Sequence, residues 1–265
     1  APMEPRAIVL TGASSGIGAA LAGRLARPGR RLLLVARGPE RLERVAETVA
    51  AQGAEAEIAS IDVGDGEAMA ARLAAFDARR PVDLVIANAG QSSGRQPDGS
   101  PEGAAAARRL IRTNLLGTVN TVEPLLPAMR ARRDGRIALI SSLAALSPLP
   151  SMPAYGASKA GIRAYGSALR AALAPDGVSV TVICPGFVTS PMSRRHLGAK
   201  PFEMPADRAA SLILRAIAGR RRLASFPRPL AWLGWMHRLL PPALADRAIG
   251  LFDADILSDG EEPRG

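Results

Sequence analysis

Short apolar runs alternate along the chain with longer stretches in which apolar residues recur three and four apart. RAIVL (6–10), RRLLLVA (30–36), AEIAS (56–60), VDLVIAN (82–88), RIALIS (136–141) and VSVTVICP (178–185) read as strands. SGIGAALAGRLAR (15–27), PERLERVAETVAAQG (39–53, ending on glycine), a segment near 66–78, a long one over 104–130 and another near 154–174 read as helices. A polar loop rich in Gly, Ser and Pro, GQSSGRQPDGSPEG (90–103), follows the fourth strand. Strands that are apolar throughout must be covered on both faces, and the intervening helices supply the cover. The pattern therefore predicts an α/β fold, a doubly wound parallel sheet in three layers, with right-handed crossovers and a ligand site at the carboxyl ends of the strands. All 265 residues are expected to form one domain, with a core over 6–190, a lid over 190–207 and an apolar helical extension over 226–256. The last residues, 257–265, are expected to be disordered.

Composition adds limits. At 48% hydrophobic and 22% charged the chain is of ordinary globular character, and no run of about 20 apolar residues predicts a membrane span. The start, APMEPRAIVL, lacks the apolar region of a signal peptide, and one cysteine, Cys184, cannot make an internal disulfide; both point to the cytoplasm. The net charge of +10 raises nucleic acid, anionic lipid or an acidic protein as partners. The densest arginine clusters, RARRDGR (130–136) and GRRR (219–222), have no aromatic residues among them, so no stacking platform exists and nucleic acid is not expected. His196 and His237 stand alone, without ligand spacing, and no metal is expected.

TGASSGIG (11–18) lies between the first strand and the first helix. Glycines there let backbone approach a pyrophosphate, which then rests on the helix N-terminus. A tight turn without a ligand is the plainer alternative, but strand, turn and helix occur in the order that the phosphate reading requires. Gly12, Ser14, Ser15, Gly16, Ile17 and Gly18 are thus candidate cofactor contacts. The second strand ends in Ala36 and Arg37, where an NAD site would place an acid for the ribose 2′-hydroxyl. A carboxylate would repel a 2′-phosphate, whereas a guanidinium can bind it, so the expected cofactor is NADP(H).

Of 34 basic residues only two are lysines, Lys159 and Lys200, and Lys159 stands four residues after Tyr155, one of two tyrosines. On a helix the two are neighbours on one face. A free phenol has a pKa of about 10, and a nearby ammonium lowers it, fitting the phenol to exchange a proton with a carbonyl or alcohol oxygen. An accidental pair on a solvated helix is the alternative. Ser142 ends the fifth strand, ANAG (87–90) ends the fourth, Asn114 sits in the long helix, and PGFVTSP (185–191) ends the sixth.

With these residues the chain resembles the short-chain dehydrogenase/reductase family, in its compact single-domain branch with a Rossmann fold, through TGxxxGxG, NAG, Ser–Tyr–Lys and PG motifs over about 6–190. The resemblance implies that Ser142 polarises the substrate oxygen, Tyr155 gives or takes its proton, Lys159 lowers the tyrosine pKa and holds the nicotinamide ribose, and Asn114 holds a water of the proton relay. It implies that Asp62 and Val63 contact the adenine. Asn88, Ala89 and Gly90 then line the cofactor, and Pro185, Gly186, Val188 and Thr189 hold its nicotinamide end. Ala87 stands where the family usually has a first asparagine. A homodimer or homotetramer is also implied.

Beyond Thr189 the resemblance weakens. SPMSRRHLGAKPFEMPAD (190–207) reads as a lid bringing Met192, Phe202 and Met204, and LAALSPLPSM (143–152) as a second wall, so a lipophilic carbonyl or alcohol is expected as the small-molecule substrate. FPRPLAWLGWMHRLLPPALADRAIGLF (226–252) carries both tryptophans, Trp232 and Trp235, which with Leu239 mark one helical face near Arg228 and Arg238. That is the make-up of a helix lying on a membrane surface; packing on a partner subunit or over the pocket is the competing reading. Three functions stand: an NADP-dependent oxidoreductase, a 3-oxoacyl reductase for a carrier-bound or CoA thioester, and a non-catalytic NADP-binding sensor or scaffold.

Overall fold

Seven parallel strands form one sheet in the order β3-β2-β1-β4-β5-β6-β7. The structure, a computed structural model, describes residues 5–147, 149–249 and 254–257. The strands are β1 (Ala7–Thr11), β2 (Arg31–Ala36), β3 (Glu55–Ser60), β4 (Leu84–Ala87), β5 (Arg136–Ile140), β6 (Ser179–Pro185) and β7 (Leu223–Phe226). The helices are α1 (Gly16–Leu25), α2 (Pro39–Ala51), α3 (Gly66–Arg79), α4 (Ala104–Leu110), α5 (Gly117–Val122), α6 (Leu126–Arg132), α7 (Pro153–Leu173), α8 (Pro191–Arg194), α9 (Ala206–Ala218), α10 (Arg228–His237) and α11 (Pro242–Ile249). This is the doubly wound, Rossmann-like sheet that the apolar strands predict.

Both faces of the sheet are buried because each central strand is apolar on both alternating sets of positions. Ile8, Leu10, Leu32, Leu34 and Ile86 point to one side and pack with Leu21 of α1, Leu42 of α2 and Ile213 of α9. Val9, Leu33, Val35, Val85, Ile137 and Leu139 point to the other, against Phe76 of α3, Met129 of α6 and Ile162 of α7. The strand order reverses between β1 and β4, which opens a crevice at their carboxyl ends.

The predicted long helix over 104–130 is broken. Between α4 and α5 it widens into a π turn over Ile111–Leu116, and Glu123–Leu125 forms a tighter 3₁₀ turn at Pro124, which has no N–H to give the helix ladder. Gly117, after the wide turn, lies against Val63: a Cβ there would stand 2.5 Å from a Val63 methyl. α9 and β7 lie beyond the predicted elements. β7 is only four residues long and buries just Ala224 and Phe226, a weak signal in sequence, yet it pairs with β6 from Val182↔Leu223 to Pro185↔Phe226.

At the other edge, β3 is largely exposed and charged rather than apolar. Its Glu57 takes Arg31 at 2.6 Å, Arg72 at 2.7 Å and Arg79 at 2.8 Å, and the buried Arg31 guanidinium lies 3.9 Å from the centre of the Phe76 ring. Arginines of the 130–136 cluster are likewise structural. Arg130 pairs with Asp176 at 2.7 Å, Arg132 donates to the Val82 carbonyl, and Arg133 donates to that of Pro175 at 2.7 Å.

Candidate active site

A cavity of about 540 Å³ runs along the carboxyl ends of the strands. Its first end is the glycine turn between β1 and α1. Gly12 and Gly16 have positive φ (66° and 51°), which glycine adopts without strain. A Cβ on Gly12 would meet the Ala89 backbone at 2.8 Å, and one on Gly18 would stand 1.9 Å from the Gly12 carbonyl oxygen. The turn, the start of α1 and the end of β4 are therefore packed backbone to backbone. Asn88 locks them: its amide donates to the carbonyls of Thr11 (3.1 Å) and Gly12 (3.2 Å), while the Thr11 hydroxyl accepts from the N–H groups of Asn88 and Ala89, both at 3.1 Å. Ser15 is the N-cap of α1 but makes no capping bond with its side chain, and the first turn holds no acid. That leaves helix N–H groups and hydroxyls for an anion.

Next to the turn, Ala36, Arg37, Gly38 and Arg41 line the cavity, with Ile61, Asp62 and Val63 beside them. Asp62 accepts from the Gly64 N–H at 2.8 Å. β2 ends on Ala36 rather than an acid. Arg37 instead reaches across the end of β1 to Gln91, whose amide, turned so that its oxygen faces the guanidinium, accepts from both terminal nitrogens at 2.5 and 2.7 Å. Arg41 escaped the sequence reading; its position four residues after Arg37, in the first turn of α2, was the available signal.

Beyond Gly90 the wall is formed by Ser141, Ser142, Tyr155 and Lys159. Ser142 caps the short turn after β5, its hydroxyl accepting from the Ala144 N–H at 3.1 Å, and it stands beside the Tyr155 phenol on the cavity wall. Tyr155 and Lys159 lie one turn apart near the start of α7. Lys159 is buried and donates to the Ile140 carbonyl at 3.0 Å. Glycine at 90 gives it room, since a Cβ there would lie 3.3 Å from Nζ. Burial pulls the ammonium down to about 8.

The effect on Tyr155 is opposite to the expected lowering. Burial is the larger cause and pushes the phenol above its ordinary value, while the neighbouring Ser142 hydroxyl pulls it back. Lys159 Nζ stands 5.8 Å from the centre of the ring.

Three predicted residues lie behind the cavity wall. Gly18 packs on Gly12. Asn114, in the π turn and fully buried, accepts from the Gln91 N–H (2.8 Å) and donates to the Gln91 carbonyl (3.0 Å) and the Ser158 hydroxyl (2.9 Å). Its side chain is a clamp between the segment after β4 and α7; Ser158 passes the link on to the Tyr155 carbonyl at 2.8 Å. Thr189 turns to Met204, donating to its carbonyl from N at 2.9 Å and from the hydroxyl at 3.4 Å. Pro185, Gly186, Phe187 and Val188 do line the cavity.

The far end is apolar. Leu143, Ala144, Ser147, Leu149 and Met152 form the expected second wall. The lid differs from expectation: Met192 lines the cavity, but Phe202 is exposed with φ of 57°, and Met204 is buried in the core beside Val188. Residues 226–249 close the end through Leu230, Leu233, Gly234, Met236, Leu240 and Ile249. Ile256, 1% exposed, also lines it, held by a strap over 254–257. Within the strap Asp255 pairs with Arg95 at 2.6 Å, and Leu257, expected to be disordered, donates its N–H to the Arg195 carbonyl at 2.9 Å. The rest of that tail, 258–265, lies outside the described residues. Nothing in the local sequence marks Ile256 as a wall residue.

The cradle of glycine backbone and the uncapped start of α1 fit the pyrophosphate of a nicotinamide dinucleotide.

Comparison with known proteins agrees with this geometry. Residues 6–199 match the family model described as short chain dehydrogenase. An uncharacterized oxidoreductase of Myxococcus xanthus is 36% identical over 94% of this chain and 98% of its own. Among solved structures, a short-chain dehydrogenase from Sphingobium yanoikuyae in complex with NADPH superposes with a TM-score of 0.76, at 26% identity, over 93% of this chain and 94% of that one. An actinorhodin polyketide ketoreductase with NADPH gives 0.75 at 25% identity, over 85% and 97%.

Proposed function

This chain belongs to the short-chain dehydrogenase family and is an oxidoreductase acting on CH–OH or C=O groups; from that premise we propose that it uses NADP(H) and a lipophilic carbonyl or secondary alcohol, with Tyr155 as general acid–base. The observation that carries the reading is the grouping of Ser142, Tyr155 and Lys159 on the wall of a cavity that begins at the glycine turn. The nicotinamide supplies or accepts the hydride. A substrate oxygen placed between the Ser142 hydroxyl and the Tyr155 phenol is polarised by both. Burial keeps Tyr155 protonated near neutrality, ready to donate in the direction of reduction. The Lys159 ammonium favours the phenolate left behind. Asn114 is a positioning residue, fixing Gln91 and Ser158 and through them the start of α7. Arg37 and Arg41, with Ala36 rather than an acid at the end of β2, support the 2′-phosphate. The NADPH named with two similar structures supports the same choice.

The test is consumption of NADPH and of NADH against a series of ketones and aldehydes of rising chain length. NADPH is expected to be preferred by at least about tenfold, since a lost guanidinium–phosphate contact is worth over 1 kcal/mol. Preference for NADH would overturn the reading of Ala36, Arg37 and Arg41. Cofactor binding without turnover across the series would favour the sensor reading.

A 3-oxoacyl thioester is the second reading, favoured by the likeness to a polyketide ketoreductase. It predicts that a 3-oxoacyl-CoA is reduced faster than the free ketone of equal length.

A further inference from the structure

α10 is apolar around almost its whole circumference, and only one side of it is covered. Ala231 and Gly234 are buried on the inside, where glycine allows a close approach: a Cβ at 234 would lie 3.1 Å from the Leu146 side chain. The outward half presents Trp232, Trp235 and Met236, with Trp232 at 65% exposure, and Leu239 just beyond the helix (77% exposed) and Leu244 of α11 extend the patch. His237 bonds the Ala245 carbonyl at 3.1 Å and ties the two helices together. Seven of the twelve large exposed apolar side chains among the described residues fall between 232 and 244. An exposed apolar surface this concentrated marks an interaction site.

Charge identifies the occupant. From 227 to 249 the chain carries Arg228, Arg238 and Arg247, all exposed, against one acid, Asp246. Arg163 and Arg238 sit 5.0 and 5.7 Å from the centre of the Trp235 ring, so a cationic rim stands beside the aromatic surface. A second copy of this chain would bring like charges face to face, whereas an anionic lipid surface complements them. Tryptophan flanked by arginine is the chemistry of the headgroup boundary. No described helix is long and apolar enough to cross a membrane, which leaves contact at the surface.

We propose that the outward face of α10, with Leu244 of α11, docks the protein on an anionic membrane surface. The docked face is continuous with the cavity: Leu233, Met236 and Leu240 both line it and stand exposed at its rim. Docking therefore sets the apolar mouth against the lipid, so that a lipophilic molecule passes between bilayer and cavity without crossing water. Docking itself does not rest on the proposed chemistry and is tested without turnover.

Trp232 and Trp235 are the only tryptophans, so the face carries its own reporter. The full-length protein is mixed with vesicles of phosphatidylcholine alone or with roughly a third phosphatidylglycerol, and tryptophan emission and co-sedimentation are followed. The expected result is a blue shift and pelleting with the anionic vesicles only, both reversed by salt. Leu239→Ser with Leu244→Ser, which keeps both tryptophans and replaces no cavity-lining residue, should weaken partitioning by about tenfold or more at unchanged melting temperature. Failure to shift or pellet with either vesicle overturns the proposal. So does an emission shift that follows protein concentration without lipid and tracks dimer mass, which would assign the face to a second copy.

Discussion

At the carboxyl ends of β1 and β4 the cavity wall is backbone held by backbone: Gly12 against Ala89, Gly18 against the Gly12 carbonyl, and Asn88 bonded to both Thr11 and Gly12. At the opposite end, over residues 190–249 and 254–257, the wall is mostly apolar side chains with Ser190, Ser193, His196 and His237 among them, tied down by a few polar links such as Arg95–Asp255 and His237–Ala245. The first region fixes individual atoms and tolerates almost no added volume. The second only excludes water and sets shape, so many apolar side chains would serve. Substitutions should separate the two regions by what they disturb.

The largest effect is expected from Gly18→Ala. Its methyl would fall on the Gly12 carbonyl, and no flexible side chain is there to yield. A loss of about 3 kcal/mol or more is expected. For a chain of this size that lowers the melting temperature by roughly 6 °C or more, with NADPH binding lost as well. A melting temperature within about 2 °C of the parent would show that the turn is looser than its packing indicates.

Arg37→Ala with Arg41→Ala should come next, raising the KM for NADPH about a hundredfold and leaving that for NADH nearly unchanged. Equal losses for both cofactors would mean that the pair supports the turn rather than a 2′-phosphate.

The pH profile sharpens the chemistry of the first region. Burial pulls Lys159 down to about 8, so it keeps its proton below that value and loses it as the pH rises through it. Tyr155, pushed above its ordinary value, stays protonated there. The kcat/KM for ketone reduction should be flat up to near pH 8 and then fall about tenfold per unit. A profile that stays flat through pH 9 would remove the ammonium from the account.

The smallest effect belongs to the second region. Asp255→Ala breaks a part-exposed ion pair and should cost only about 0.5 kcal/mol. Because it loosens the strap that holds Ile256, it should change the KM for ketone several-fold while NADPH affinity stays the same. A parallel change in NADPH affinity would contradict the division of the cavity.

This division also decides what was legible in the sequence. The central strands were readable because their apolar runs are required by burial on both faces, and the glycine turn because φ and close packing leave little choice of residue. That Ser142, Tyr155 and Lys159 share one wall was readable because Ser142 ends a strand and the other two stand one helical turn apart. Arg41 was missed among many arginines, since charge alone does not tell a ligand contact from a surface residue. The π turn at Asn114 was missed because helical periodicity barely changes across one widened turn. In the second region Met204 and Phe202 were placed on the lid wall because apolar character was visible, but direction was not: Met204 turned into the core and Phe202 outward. Ile256 reaches the cavity through a tertiary return of the chain that no local pattern encodes.

The central claim is that Tyr155 exchanges the proton with substrate. The most direct test is single-turnover ketone reduction by Tyr155→Phe, with NADPH affinity measured on the same preparation. A loss of about a hundredfold or more in rate, with NADPH affinity preserved within a few-fold, is the predicted result. Reduction at a rate within about threefold of the parent would contradict it, because the phenol oxygen would then be dispensable to the chemistry.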